Sequence, residues 1–442
     1  MTEASAQPSN QRLVAYFIPL ALQAASQSLS YPLIAMVASH GPGGVLNLAG
    51  VAQSNIVMFL VATLGAGLVT AGMVFARTRR GYARFCAVNN LLSFLTAAIQ
   101  ALICIPAVGH LVFGILLGLP PSIETPARQA FPLTILLNLL FFARNPYQVL
   151  LYNNEAAGRA STATFIRIGV TLALSPLFCS WGLVGPRWGM VCQTIPVGLE
   201  TLVSWWYSRP FVTALPADVT SPSTNRRILL FTLPLSLGNF LTTLSGMLLG
   251  AVIARSGRPE HMLPAYYLAA GIASPAAYAA SRLENVVIAF PPRSRGDTQA
   301  LRFAAAAGAI LSVMPLFFLL PGLREWYYVS VQRLPAADLP LVSTTALLFV
   351  GFPIAVALRC HREGLAALDH RTPTILAGDF AYIATLAVMA SAFLALRAPG
   401  NVIGPPVVAC SNLVSLGVLV LLLRGPTAGV EPPVAPVASQ GM

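Results

Sequence analysis

The chain has 442 residues, of which 56% are hydrophobic and 9% charged, with a mean hydropathy of +0.73 and a formal net charge of +12. Soluble domains carry about 25% charged residues, so ionic groups could not cover a water-facing surface here, and the arithmetic excludes a soluble enzyme, a coiled coil, a disordered chain and a disulfide-stapled secreted domain. A spanning helix takes about 20 largely apolar residues, and the unbroken apolar runs fit helices rather than the alternating strands of a membrane β-barrel.

In chain order, the apolar runs predict spans at 13–38, 50–75, 84–108, 129–152, 162–182, 187–207, 228–254, 265–290, 301–320, 339–360, 374–396 and 401–423. Residues 1–11 read as a short cytoplasmic tail without the basic start of a signal peptide. The hydrophilic stretch 208–227 reads as a cytoplasmic linker between an N-terminal half, 12–207, and a C-terminal half, 228–424. The Pro/Ala-rich segment 425–442 reads as a disordered tail. The halves resemble each other. RLVAYFIPLAL from Arg12 matches RILLFTLPLSL from Arg227 at an offset of 215, which sets Pro19 on Pro234; Leu119-Pro120 matches Leu334-Pro335, and Pro146 matches Pro353 with a small gap. The expectation is an all-α polytopic membrane protein of twelve transmembrane helices, built as two parallel six-helix repeats, an arrangement that places a transport site between the repeats.

All 26 basic residues are arginine. Sixteen fall in segments on the side of the N-terminus and seven on the opposite side, so the positive-inside rule predicts cytoplasmic N- and C-termini and an inner (plasma) membrane location. The six scattered cysteines read as small core residues. His361 and His370 read as members of a polar, solvent-facing loop. No metal-ligand cluster, nucleotide-binding P-loop, catalytic constellation or cofactor motif stands out, and nothing suggests a nucleic-acid partner; the oligomeric state is left open by the sequence.

The three remaining arginines, Arg144, Arg167 and Arg282, lie inside spans together with Glu200, Glu284 and Asp379. A charge at mid-bilayer costs about 2.5–3.5 kcal/mol on insertion scales, so each must face protein, water or a partner, or reach the headgroups. At 100° per residue, Asn138, Asn145, Gln148 and Tyr152 share one arc that Arg144 widens, and Gln27 lies on a polar stripe of the first span. A guanidinium fork suits carboxylate or phosphate. Arg144, Arg167, Arg282, Asn145, Gln148 and Gln27 are therefore candidates for binding a small-molecule anion. Glu200, Glu284 and Asp379 are candidates for ion coupling or ion pairing, Arg167 and Asp379 being set opposite each other as a pair across the two halves. Pro146 and Pro353, each freeing a backbone carbonyl inside a helix, are candidate hinges.

The segments MVFARTRRGYARF and LGLPPSIETPARQAFPLTILLNLLFFARNPYQVLLYNNEAAGRASTATFIRIGVTLAL, in a six-plus-six frame, resemble the multidrug/oligosaccharidyl-lipid/polysaccharide (MOP) exporter superfamily and its multidrug and toxic compound extrusion (MATE) fold. The arginines and GRASTATFIRIG are most similar to the progressive ankylosis branch, whose members export pyrophosphate, nucleotides or citrate. The resemblance implies a secondary transporter, an exporter or antiporter working by alternating access in membrane lipid, with a proton or sodium as coupling ion, and not an enzyme. Many cation-coupled members carry an aspartate in the first helix, whereas 13–38 and 228–254 contain no acidic residue here. The readings held beside anion export are a cation-coupled multidrug exporter, a lipid-linked oligosaccharide flippase, a major-facilitator carrier, and a membrane-embedded enzyme or scaffold.

Overall fold

The structure, a computed structural model, describes residues 10–154, 156–217, 224–292, 297–369 and 371–424. Sixteen α-helices follow one another: α1 Asn10–Ser39, α2 Val45–Ala62, α3 Leu68–Phe75, α4 Arg79–Ile103, α5 Pro106–Gly109, α6 Pro121–Asn153, α7 Ala157–Ser180, α8 Pro186–Thr213, α9 Asn225–Ala254, α10 Pro259–Ser281, α11 Leu283–Ala289, α12 Gln299–Phe317, α13 Leu339–Leu348, α14 Phe352–Leu368, α15 Thr372–Ala395 and α16 Gly400–Leu423. A 3₁₀ turn, Thr63–Gly65, joins α2 toward α3; another, Phe349–Gly351, joins α13 to α14; π-helical turns occupy His110–Leu116 and Glu325–Val331. Prolines start α6, α8, α10, α13, α14 and α15 within their first two positions, where the missing N–H has no intrahelical partner to lose.

Nine helical segments among the described residues are long and apolar enough to span a bilayer. They differ from the twelve runs expected. Within the described side chains of α1, Ser30–Ser39 forms an apolar stretch, and α8 and α10, at 28 and 23 residues, have the length but fall short of the hydropathy of the nine. Apolar side chains cover the lipid-facing outside: Phe94, Ile310, Val388 and Leu421 are among the most exposed large apolar residues. This inverted surface makes the protein a multi-pass membrane protein.

The connections collect on two faces. On the face where α1 begins and α16 ends, Arg79 N bonds Pro216 O, Gln299 reaches Asn10, and Arg371 reaches Leu422 O. On the far face, Gly185 N bonds Val37 O, Ser122 bonds Glu260, and His261 bonds Asp338. The packing order recurs along the chain: α6 lies against α2, α4 and α8, and α14 lies against α10, α12 and α16. Chain segments before and after residue 217 meet along α1–α10, α2–α9 and α2–α10, around a shared core that includes Leu48, Val57, Leu249, Leu268 and Ile272.

Several local expectations are corrected. α8 continues to Thr213, into the stretch read as linker. Pro146 sits inside a continuous 33-residue α6, whereas Pro353 stands in the first turn of α14 after the 3₁₀ break, so the two prolines do not mark matching kinks. His361 is buried within α14 and not in a solvent-facing loop; His370 lies outside the described residues.

Candidate functional site: two buried charge clusters

The first cluster is built on α6, α7 and α8. Thr164, Arg167, Thr171 and Ser175 recur at three- and four-residue steps and so occupy one face of α7. The Thr171 and Ser175 hydroxyls donate to the carbonyls of Arg167 and Thr171, which satisfies them within the helix and leaves the charged group to find its own partner. That partner is Glu200 of α8, whose side chain is fully buried. Its Oε2 accepts from Arg144 Nη1 at 2.7 Å and from Arg167 Nη1 at 3.1 Å, and its Oε1 accepts from Thr164 Oγ1 at 2.8 Å. Arg144 also lies over the ring of Phe141, 5.2 Å from its centroid. Two guanidinium groups against one carboxylate leave a surplus of one positive charge.

The second cluster has the opposite sign. Arg359 of α14 donates from Nε to Glu363 Oε1 at 2.6 Å, from Nη2 to Asp379 Oδ1 of α15 at 3.0 Å, and from Nη1 to Asn412 Oδ1 of α16 at 3.5 Å; its guanidinium stands over Tyr382. A cavity of about 240 Å³ opens beside it, lined by Gly238, Asn239, Glu284, Arg359, Glu363, Ile375 and Asp379. Three carboxylates face one arginine. No group of three His, Cys, Asp or Glu side chains among the described residues is arranged to hold a metal ion.

Arg282 stands between the clusters at the α10–α11 junction. Tyr152, at the end of α6, lies in the electrostatic field of Arg144, Glu200 and Arg282, and Glu284 lies in that of Arg282. Among the described residues neither the Arg282 nor the Glu284 side chain makes a hydrogen bond or ion pair.

Two sequence-based expectations change. Arg167 and Asp379 do not pair: each is held within its own half, by Glu200 and by Arg359. The single arc expected on α6 is divided, because Asn138 and Asn145 turn to α4, bonding Thr96 and Asn89, while Arg144 turns to α8. Gln148 is buried on the same helix, and the side chain of Gln27 lies outside the described residues. Glu200, a candidate for ion coupling or ion pairing, is the shared acceptor of two arginines.

No family profile matches the chain, and no characterised protein sequence does. Solved structures do. The chain is similar to an inward-facing multidrug resistance MATE family transporter of the MOP superfamily (15% identity, 95% of this chain and 99% of that one, TM-score 0.62). It is also similar to a MOP superfamily transporter from Pyrococcus furiosus (18% identity, 95% and 96%, TM-score 0.62) and to the lipid II flippase MurJ in an inward closed conformation (12% identity, 93% and 88%, TM-score 0.62). The fold is MATE-like. At these identities the likeness concerns the fold alone.

Within this MATE-like fold, the residues that sequence reading missed are Arg359 and Glu363. Arg359 counted as a loop arginine because the apolar run ends there, whereas α14 continues for two further turns to Leu368. One signal was available: the i,i+4 spacing of Arg359 and Glu363.

Proposed function

We propose that the protein is a secondary-active transporter that exports a small organic or phosphorylated anion. The observation that carries the reading is the arginine surplus around Glu200 together with Arg282, a half-buried guanidinium with no partner among the described residues. A carboxylate or phosphate would offer Arg282 the bidentate acceptor it lacks. Arg144 and Arg167 would add positive potential from behind, Asn145, Gln148 and Gln27 polar contacts, and rocking of the halves would exchange exposure of the site. The recurring packing order supports reading 12–207 and 228–424 as two parallel six-helix repeats with 208–227 between them, twelve helices in all. The arginine distribution supports cytoplasmic termini, and the pairing of buried arginines with GRASTATFIRIG supports placing the chain near the progressive ankylosis branch.

A cation-coupled exporter of the MATE multidrug type is the second reading, favoured by the acid-lined cavity around Glu284, Glu363 and Asp379. That cavity is also where a proton or sodium would couple to anion movement in the first reading. The two are separated by thermal shift of detergent-purified protein, since a ligand that binds the native state raises apparent stability. Citrate or pyrophosphate raises the melting temperature and organic cations do not. Arg282→Gln, which breaks no ion pair, abolishes that shift while leaving the ligand-free melting temperature within about 1 °C, as for a substitution within ±0.5 kcal/mol. Stabilisation by organic cations alone would move the assignment to the multidrug reading.

A further inference from the structure

We propose that the seam between α4 and α6, at the level of Gln100 and Asn138, is a hydration site holding a short file of water molecules that is blind at the far face. Asn89, Ser93, Thr96 and Gln100 recur on one face of α4, and Thr134, Asn138 and Asn145 on the facing side of α6. The helices run antiparallel with a fixed register, because Asn138 Nδ2 donates to Thr96 Oγ1 at 2.9 Å and Asn145 Nδ2 to Asn89 Oδ1 at 3.3 Å. One turn further along, the same register brings Thr134 level with Gln100.

At that level the polar accounting fails. Gln100 is 0% exposed, and neither its Oε1 nor its Nε2 has a partner; Asn138, also 0% exposed, leaves Oδ1 unpaired. The neighbouring hydroxyl protons are already used, Thr96 donating to Ser93 O and Thr134 to Phe131 O. Each unmet buried group is destabilising, and more so where hydrocarbon surrounds the helices. A buried water needs two to four polar partners, and Gln100 Oε1 and Nε2, Asn138 Oδ1 and the lone pairs of the two threonine hydroxyls supply them. These groups are neutral and mix donors with acceptors, which suits water and suits neither a metal ion nor an anion. Toward the far face the seam is closed by Ile103, Phe113 and Phe131, the two rings meeting edge to face at 5.4 Å. The seam is separate from the transport reading and stands or falls without it.

The test is a structure of the full chain in lipid nanodiscs at a resolution that shows water, combined with melting of Gln100→Leu. Ordered water within hydrogen-bond distance of Gln100 and Asn138 is expected, and Gln100→Leu lowers the melting temperature by about 2–4 °C because it strips the water of partners. A direct Gln100–Thr134 bond with no water between, or a higher melting temperature for Gln100→Leu, overturns the proposal. Should that variant not fold, hydroxyl-radical labelling of the unaltered protein decides. Phe131, whose carbonyl accepts from Thr134 and whose ring closes the seam, is oxidised if the seam is wet and stays protected if it is dry.

Discussion

Glu200 is the residue on which the first cluster depends. Removing one partner of a buried ion pair leaves an uncompensated charge and costs about 3–5 kcal/mol, whereas replacing the whole group by apolar side chains of similar volume is close to neutral. Glu200→Leu alone should therefore lose about that much stability in denaturant unfolding, and Arg144→Met/Arg167→Met/Glu200→Leu should recover most of it. A loss below about 1 kcal/mol for the single variant would show that the arginines find other acceptors. The individual oddity of Arg144, Arg167 and Glu200 was legible, since charge inside an apolar run needs a reason. Their convergence was not: 33 residues of chain separate Arg167 from Glu200, and only the packing of α7 on α8 decides that this carboxylate, and not Asp379, meets that arginine.

At the scale of elements, the π-helical turn His110–Leu116 ends in carbonyls with no helical partner, as every helix terminus does. Arg255, at the end of α9, caps them, donating to Ile115 O at 2.9 Å, Leu116 O at 2.8 Å and Leu117 O at 3.1 Å. Gly118 allows this: its φ is +67°, and a Cβ there would stand 3.0 Å from the guanidinium carbon. Together with Ser122–Glu260 and Gln53–Tyr267, at 2.9 and 2.8 Å, these bonds tie α9 and α10 to the first half of the chain. Charge-assisted hydrogen bonds contribute about 1.5–3 kcal/mol each when buried, less at this partly exposed site. Arg255→Ala should lower the melting temperature, and Gly118→Ala should cost about 1–2 kcal/mol from its left-handed backbone alone; an unchanged melting temperature in either variant would count against the cap. None of this is visible in sequence, where Arg255 is one of seven arginines on that side. The same scale explains the misplaced Arg359 and His361: an apolar run reports hydropathy, while a helix ends where its hydrogen bonds end.

At the scale of the molecule, the charges of the two clusters and Arg282 balance but are not mixed. Arg144, Arg167, Arg282 and Arg359 face Glu200, Glu284, Glu363 and Asp379, with the positive surplus before residue 217 and the negative surplus after it. Under the proposed function, Asp379→Asn removes one wall of the acid-lined cavity; anion-induced stabilisation should then lose its dependence on sodium or proton concentration, seen by comparing melting shifts in sodium and choline buffers at two pH values. An unaltered dependence would move coupling elsewhere. The sequence by itself determined that the chain is helical and embedded in a bilayer, because hydrocarbon tolerates only backbone that bonds to itself, and it marked most of the intramembrane charges as exceptions needing a cause. The tertiary structure alone decided how those charges are partitioned, which arginine has a carboxylate and which has none, since partners on different helices are chosen by packing between faces distant in the chain, and no local periodicity records that choice.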